Sequence, residues 1–290
     1  MQGIGRSHRR DFLTRGNWLK LWVDRFFAFM QDFENLLESL DISLFEKIPS
    51  QSTDEDKQTL LACQLAAREL AGTYKYLEIG SYLGGSIQPH LLDPRCSRIY
   101  SIDKRPETQP DARGMDFTYL NNSTERMMEG LRGIEGGNVG KIATIDGETS
   151  GIDPERVGEK VHLCFIDGEH TDTAVVSDFK FCLRALRGVG AVMFHDAQIV
   201  YNGIQDCLDL LERDGVRYNA YALPNAVFAI EVGDFPVHRH PKVQELLLRN
   251  HRAYLYSLQE NDRYRRFANR FPFRLLKTVY LKAVGGNTCR

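Results

Sequence analysis

Five short apolar runs, each closing on an acidic residue, constrain this chain more than any other feature. They are Tyr74 to Ile79 with Glu78, Arg98 to Ile102 before Asp103, Lys141 to Ile145 before Asp146, Val161 to Ile166 before Asp167, and Ala191 to Phe194 before His195-Asp196. A short continuous apolar run bounded by turn residues reads as a strand buried on both faces. Helical stretches fall between the runs, at Ser123 to Leu131, Ala174 to Leu186 and Gly203 to Arg213, with a further helix start near Gly85. Strands alternating with helices predict a parallel sheet covered on both sides. Two last runs, Tyr218 to Leu223 and Ala226 to Val232, flank Pro224-Asn225 and predict a hairpin. In such sheets ligands bind beyond the carboxyl ends of the strands. Five acids along that edge would crowd like charge unless ligands or cations balance it.

The ends of the chain have a different character. Residues 1–15 are polar and basic. Trp18, Trp22, Phe26, Phe29, Phe33 and Leu37 then recur every three or four residues and share one helical face. Ser52 and Glu55 have capping-box spacing and open a helix to about Leu70, closed by Gly72. After Pro241 a helix is expected from Val243 to Leu258, followed by a basic, aromatic stretch broken at Pro272. The chain therefore divides into an N-terminal arm with helices (1–72), a core (73–236) and a C-terminal extension (237–290).

A net charge of -2 gives no overall pull toward nucleic acid, yet residues 239–290 hold 12 Lys and Arg against 3 Asp and Glu. The six cysteines form no C-x-x-C pair, and Cys164 lies inside an apolar run, so a reduced, cytoplasmic setting is expected. No apolar run approaches the roughly 20 residues of a membrane span.

The loop after the first strand narrows the ligand. Glu78-Ile79-Gly80-Ser81-Tyr82-Leu83-Gly84-Gly85-Ser86 lets a ligand approach the backbone where side chains are absent. A pyrophosphate cradle needs G-x-G-x-x-G; Tyr82 replaces the second glycine and argues against a dinucleotide. Glu78 suits a ligand with a cationic end. Asp103, 23 residues after Gly80, stands where a carboxylate holds ribose hydroxyls in nicotinamide and S-adenosylmethionine sites alike.

Leu77-Glu78-Ile79-Gly80-Ser81, Ser101-Ile102-Asp103, Phe165-Ile166-Asp167-Gly168-Glu169-His170 and Phe194-His195-Asp196 resemble class I S-adenosylmethionine-dependent methyltransferases. The nearest branch is the metal-dependent O-methyltransferases, both catechol-like enzymes and the sugar O-methyltransferases of antibiotic and polysaccharide pathways. The resemblance spans roughly residues 74–232. It implies a Rossmann-like, doubly wound, mostly parallel seven-stranded sheet with an antiparallel hairpin. It implies that Gly80, Ser81, Tyr82, Gly84 and Ser86 face the methionine part of S-adenosylmethionine, Asp103 the ribose, and Asp146 and Gly147 the adenine. Asp167 and Asp196 would then hold Mg²⁺ or a similar hard cation. The catechol-like pattern places a third ligand where this chain has Ala197, and His195 or water stands in for it. His170, three residues past Asp167, takes the place of the catalytic base or orients the Asp167 loop; His195 has the choice of ligand, ligand partner or base.

The expected acceptor is a sugar hydroxyl in a glycan or glycosylated metabolite, with a small phenol, or a catalytically inactive cofactor-binding protein, as rivals. The basic extension reads as a packing or dimer element, as a contact with anionic membrane through Arg263, Arg265, Arg266, Arg270, Arg274 and Lys277, or as a capture site for an anionic acceptor. Nucleic acid ranks last among these, because no RNA-binding module accompanies it.

Overall fold

The computed structural model describes residues 30–105, 108–111, 117–250, 270–276 and 279. The expectations for Trp18, Trp22, Phe26 and Phe29, for residues 251–258, and for Arg263, Arg265, Arg266 and Lys277 lie outside these residues.

The elements of the core follow in chain order. They are α1 (Asp54–Ala71), β1 (Tyr74–Ile79), α2 (Gln88–Leu92), β2 (Cys96–Asp103), β3 (Thr108–Gln109), β4 (Phe117–Thr118), α3 (Thr124–Arg132), β5 (Ile142–Asp146), β6 (Leu163–Ile166), α4 (Asp172–Leu186), β7 (Gly190–Phe194), α5 (Tyr201–Arg213), β8 (Tyr218–Ala222) and β9 (Phe228–Val232). Seven strands form one sheet in the order β5-β2-β1-β6-β7-β9-β8. The first five are mutually parallel; β9 runs antiparallel to β7, and β8 to β9. The expected doubly wound sheet with its closing hairpin is thus the observed one. β3 and β4 pair separately as a small hairpin.

Side chains alternate across the pleat and so feed two cores. Tyr74, Tyr76, Leu163 and Phe165 point to a layer shared with α1, α2 and α3 and with Phe33 and Leu37 from helical residues 30–38. Leu77, Ile79, Cys164 and Ile166 point to the other layer, filled by Val175, Phe179 and Cys182 of α4 and Ile204, Cys207 and Leu211 of α5. Five cysteines are described, all buried and all free.

A buried polar cluster ties helical residues 30–38 to the sheet. Arg68 of α1, 1% exposed, is bound by both carboxylate oxygens of Glu34 at 2.6 Å, and its Nε lies 3.2 Å from Asp93. Asp93 also accepts from Gln64 at 3.0 Å and from the Tyr74 hydroxyl at 3.2 Å. His90 stacks on Tyr76 and shares a 2.7 Å hydrogen bond with Tyr74, and burial drives its pKa down to about 3.

Two boundaries differ from the sequence reading. The capping box of α1 is Thr53 with Asp56, not Ser52 with Glu55. Both pairs have the spacing, and the tertiary partners of Asp56, described below, decide between them. The helix expected near Gly85 begins only at Gln88. The Gln88 amide donates to the carbonyls of Phe45, Ile48 and Gly85 at 2.8 to 2.9 Å, and this holds the preceding loop open. The helix expected over Val243 to Leu258 is present at residues 241–250. Phe271 and Phe273 of the extension are exposed. No helix among the described residues is long and apolar enough to cross a membrane.

Candidate active site

The chain leaves β1 toward β2 and β5 on one side, then returns to place β6 and β7 on the other. That reversal puts a crevice beyond the ends of β1 and β6. Gly80 and Asp167 meet there. Gly80 has φ +91°, and a Cβ on it would lie 2.0 Å from the Asp167 carbonyl oxygen. Only glycine fits both the dihedral and the space.

Two cavities open on either side of Gly80. The smaller, about 240 Å³, is lined by Asp103, Lys104, Gly147, Glu148, Glu169 and Asp178 among others. The larger, about 470 Å³, is lined by Ser50, Gln51, Tyr119, Asp167, His170 and Asp196, with Ser81, Tyr82, Ser86 and His195.

The residues of the first loop divide between these spaces and the core. Ser81 and Ser86 border the larger cavity, and their hydroxyls are engaged by Ser101 and Glu78 at 2.7 Å each. Tyr82 sits at φ +43°, donates its amide to Asp103 at 2.8 Å, and meets Tyr119 edge-on. Gly84, at φ +83°, packs on Met127 and Leu131 rather than on a cavity. Glu78 lines neither cavity. It is fully buried, and it accepts from Tyr76 at 2.6 Å and Ser86 at 2.7 Å. Burial raises its pKa to about 7, against the pull of those two hydroxyls.

The acids at the strand ends are partly balanced from within. Asp103 accepts from the amides of Tyr82 and Arg105, each at 2.8 Å. The Arg105 guanidinium lies 3.4 Å from Asp103 and 3.5 Å from Asp146, and donates to the Tyr82 carbonyl at 2.7 Å. Asp146 also accepts from Thr124 at 2.5 Å. Lys104 pairs with Glu169. Asp178, beneath the smaller cavity, has a pKa pushed up to about 7 by burial. Sequence reasoning missed Lys104 and Arg105, although both directly follow Asp103; the acid pattern drew attention to the strand end itself.

Beyond β6 and β7 two histidines bridge carboxylates. His170 presents Nε2 to Asp196 at 3.1 Å and Nδ1 to Asp111 at 3.0 Å. His195 presents Nδ1 to Asp167 at 3.2 Å and to Asp196 at 3.1 Å. Burial works against the charge on each ring, but the carboxylates outweigh it, so both pKa values are raised. Burial would likewise raise the pKa of Asp196, yet its hydrogen bonds from His170 and His195 hold it far below the usual carboxylate range. Asp196 also has φ +50°, a sparsely populated conformation of the kind that collects at functional sites.

Asp167, His170 and Asp196 each offer a ligand atom, and these atoms all lie within 4.8 Å of one another. Two carboxylates and an imidazole suit a hard or borderline divalent cation. The sequence reading had His195 beside the two aspartates as the metal set and His170 as a base; the geometry brings His170 into that group and places His195 against the same carboxylates. Ala197 offers no side-chain donor, and its amide donates to the Ala226 carbonyl. Asp111 and Tyr119 went unread because they belong to the segment between β2 and α3, which shows no clear periodicity.

Residues 77–197 match the family model described as a methyltransferase domain. Among solved structures, cofactor-bound Rv0187 from MTB is similar at 15% identity, over 72% of this chain and 95% of that one, with a TM-score of 0.46. The O-methyltransferase from Bacillus cereus in complex with SAH is similar at 13% identity, over 70% and 90%, with a TM-score of 0.43. The O-methyltransferase NovP is similar at 13% identity, over 60% and 79%, with a TM-score of 0.46. Likeness at this level adds nothing to the fold already read from the strand order. No curated protein matches the chain. The matched segment runs from within β1 to just past β7 and includes both site histidines; over it the chain is similar to that family.

Proposed function

We propose that this protein is an S-adenosylmethionine-dependent O-methyltransferase acting on a sugar hydroxyl with the help of a divalent cation. One observation carries the reading: the glycine that opens the first loop abuts the backbone of Asp167, and Asp167 belongs to the Asp167, His170, Asp196 group. A methyl donor lodged across Gly80 would have its sulfonium beside that group. The adenosine would occupy the smaller cavity, with Asp103 at the ribose and Gly147 near the base. The acceptor would enter the larger one.

Methyl transfer is an in-line displacement. The acceptor oxygen forms a bond to the methyl carbon as the carbon–sulfur bond breaks, the sulfur keeps that electron pair, and the acceptor gives up a proton. A divalent cation bound at Asp167, His170 and Asp196 would lower the pKa of the hydroxyl and steady the oxygen. This chain's own part is to orient the acceptor against Ser50, Gln51 and Tyr119 and to receive the proton. With His170 engaged as a ligand, and with the charge of Asp167 and Asp196 offset by a cation, Nδ1 of His195 would be the group in place to take it. Ser50, Gln51 and the carboxylates on the wall of the larger cavity would suit a polyhydroxyl acceptor, while Tyr82 and Tyr119 on the same wall are what the rival phenol would stack on.

Calorimetry with S-adenosylhomocysteine and with NAD checks the donor. Binding of the first and not the second is expected; tight NAD binding alone would refute the proposal. Turnover on a panel of sugar and phenol acceptors, with and without EDTA, then checks the rest. Activity that EDTA leaves untouched would remove the cation, and cofactor binding without turnover on any acceptor would favour the inactive rival.

A further inference from the structure

Asp56 belongs by sequence to the helix ahead of the matched domain, yet it reaches the site. It is 1% exposed at the start of α1. Its Oδ2 accepts from the Thr53 amide at 3.1 Å, the Thr53 hydroxyl at 2.8 Å and the Asn225 amide group at 2.9 Å; its Oδ1 accepts from the Ala226 amide at 3.2 Å. The same Oδ2 lies 3.4 Å from Nε2 of His195. That nitrogen is buried and makes no hydrogen bond among the described residues, so Asp56 meets it as a charge contact at ion-pair distance. Phe165 closes on the ring edge-on, at 6.0 Å between centroids.

A carboxylate has no proton to give, so an imidazole nitrogen facing it must carry the hydrogen. Both ring nitrogens of His195 face carboxylates, Nε2 that of Asp56 and Nδ1 those of Asp167 and Asp196, so with no cation bound each carries a hydrogen. Of the two, Nδ1 is the one whose state answers to Asp167 and Asp196. Partners of this kind fix the orientation of a histidine at a reacting centre. We infer that Asp56 is a positioning residue, holding the Nε2–H of His195 so that Nδ1 faces Asp167 and Asp196. The inference rests on the proposed function for its catalytic consequence only; the contact itself stands apart from it. It also gives the helix before the domain a task, because the helix cap and the histidine share one carboxylate.

The test uses full-length protein with ¹⁵N-labelled histidine. Long-range ¹H–¹⁵N spectra report which ring nitrogens carry a proton, and Mn²⁺ binding is followed in parallel. In the wild type, His195 is expected to show a slowly exchanging Nε2–H. Asp56→Asn, which keeps an uncharged acceptor, should speed that exchange. Asp56→Ala should abolish the signal and weaken Mn²⁺ binding by roughly 10–100-fold. Thr53→Ala removes one hydrogen bond to Oδ2 of Asp56 but keeps the carboxylate and its charge; it should lower thermal stability and change the His195 signal and Mn²⁺ affinity less than Asp56→Asn does. A His195 spectrum unchanged in Asp56→Asn overturns the inference, as does an equal perturbation by Thr53→Ala. A His195 signal that depends on Asp56 in a protein that binds no Mn²⁺ supports the positioning role and removes the cation from the proposed function.

Discussion

At the scale of single residues, the site depends on backbone conformations that few residue types tolerate. Gly80 is the clearest. A Cβ there would lie 2.0 Å from the carbonyl oxygen of Asp167, which is backbone and cannot swing aside. Gly80→Ala must shift either the loop or the Asp167 turn, so S-adenosylhomocysteine affinity should fall by at least about tenfold, or about 1.4 kcal/mol. Calorimetry at wild-type affinity would show that the turn yields more easily than the contact implies. Asp196 offers a cleaner separation of backbone from charge. Asn tolerates positive φ nearly as well as Asp, so Asp196→Asn should preserve the turn at φ +50° while removing one charge from the proposed cation group. Loss of metal-stimulated turnover by more than about 100-fold, with little change in fold by circular dichroism, is expected. Retained turnover would take Asp196 out of the ligand set.

At the scale of elements, the interest lies in how helices outside the sheet are attached to it. Helical residues 30–38 and α1 meet through Arg68, whose side chain is 1% exposed and which faces both Glu34 and Asp93. An ion pair this deep is weak evidence for net stability, but removing one partner strands the others. Arg68→Leu should therefore cost roughly 3–5 kcal/mol in urea unfolding. A loss below about 1 kcal/mol would mean that the apolar contacts of Phe33 and Leu37 suffice to hold this helix. Much of this level was legible beforehand. The five parallel strands and the hairpin followed from apolar runs and their punctuation, because a strand buried on both faces must be apolar throughout. The start of α1 was misplaced by one residue. In Ser52-Thr53-Asp54-Glu55-Asp56 two capping boxes overlap, and local spacing cannot rank them. The choice fell to Ala226, Asn225 and His195, residues about 140 to 170 positions away that need an acceptor at Asp56.

For the molecule as a whole, buried titratable groups set opposing dependences of stability on pH. Glu78 and Asp178 keep their protons in the fold up to about pH 7, whereas carboxyls of the unfolded chain lose them near 4. Between those values the folded state binds more protons than the unfolded one, so their contribution is lost as pH rises from about 4 to 7 and is level above it. His90 acts in the other direction. It stays neutral in the fold down to about 3 but is protonated below about 6.5 when unfolded, so its contribution is lost as pH falls through that window. Asp178→Asn should flatten the decline from pH 4 to 7 and leave the acid limb unchanged, as read from melting temperatures between pH 3 and 8. An unchanged slope would place the titrating group elsewhere.

What the sequence determined alone was the order of the elements, the sheet edge that carries the candidate site, and the acids and histidines that stand on it. Strand periodicity and turn residues are local signals, and position along a parallel sheet follows from them. Tertiary structure decided how those residues are paired. It joined Asp167, His170 and Asp196 into one group, set His195 between Asp56 and the same two carboxylates, and sent Glu78 into the core rather than into a cavity. It also brought Asp111 and Tyr119 to the site from a segment with no readable pattern. Pairing of this kind depends on distances of 3 to 4 Å between residues far apart in the chain, and no periodicity encodes them.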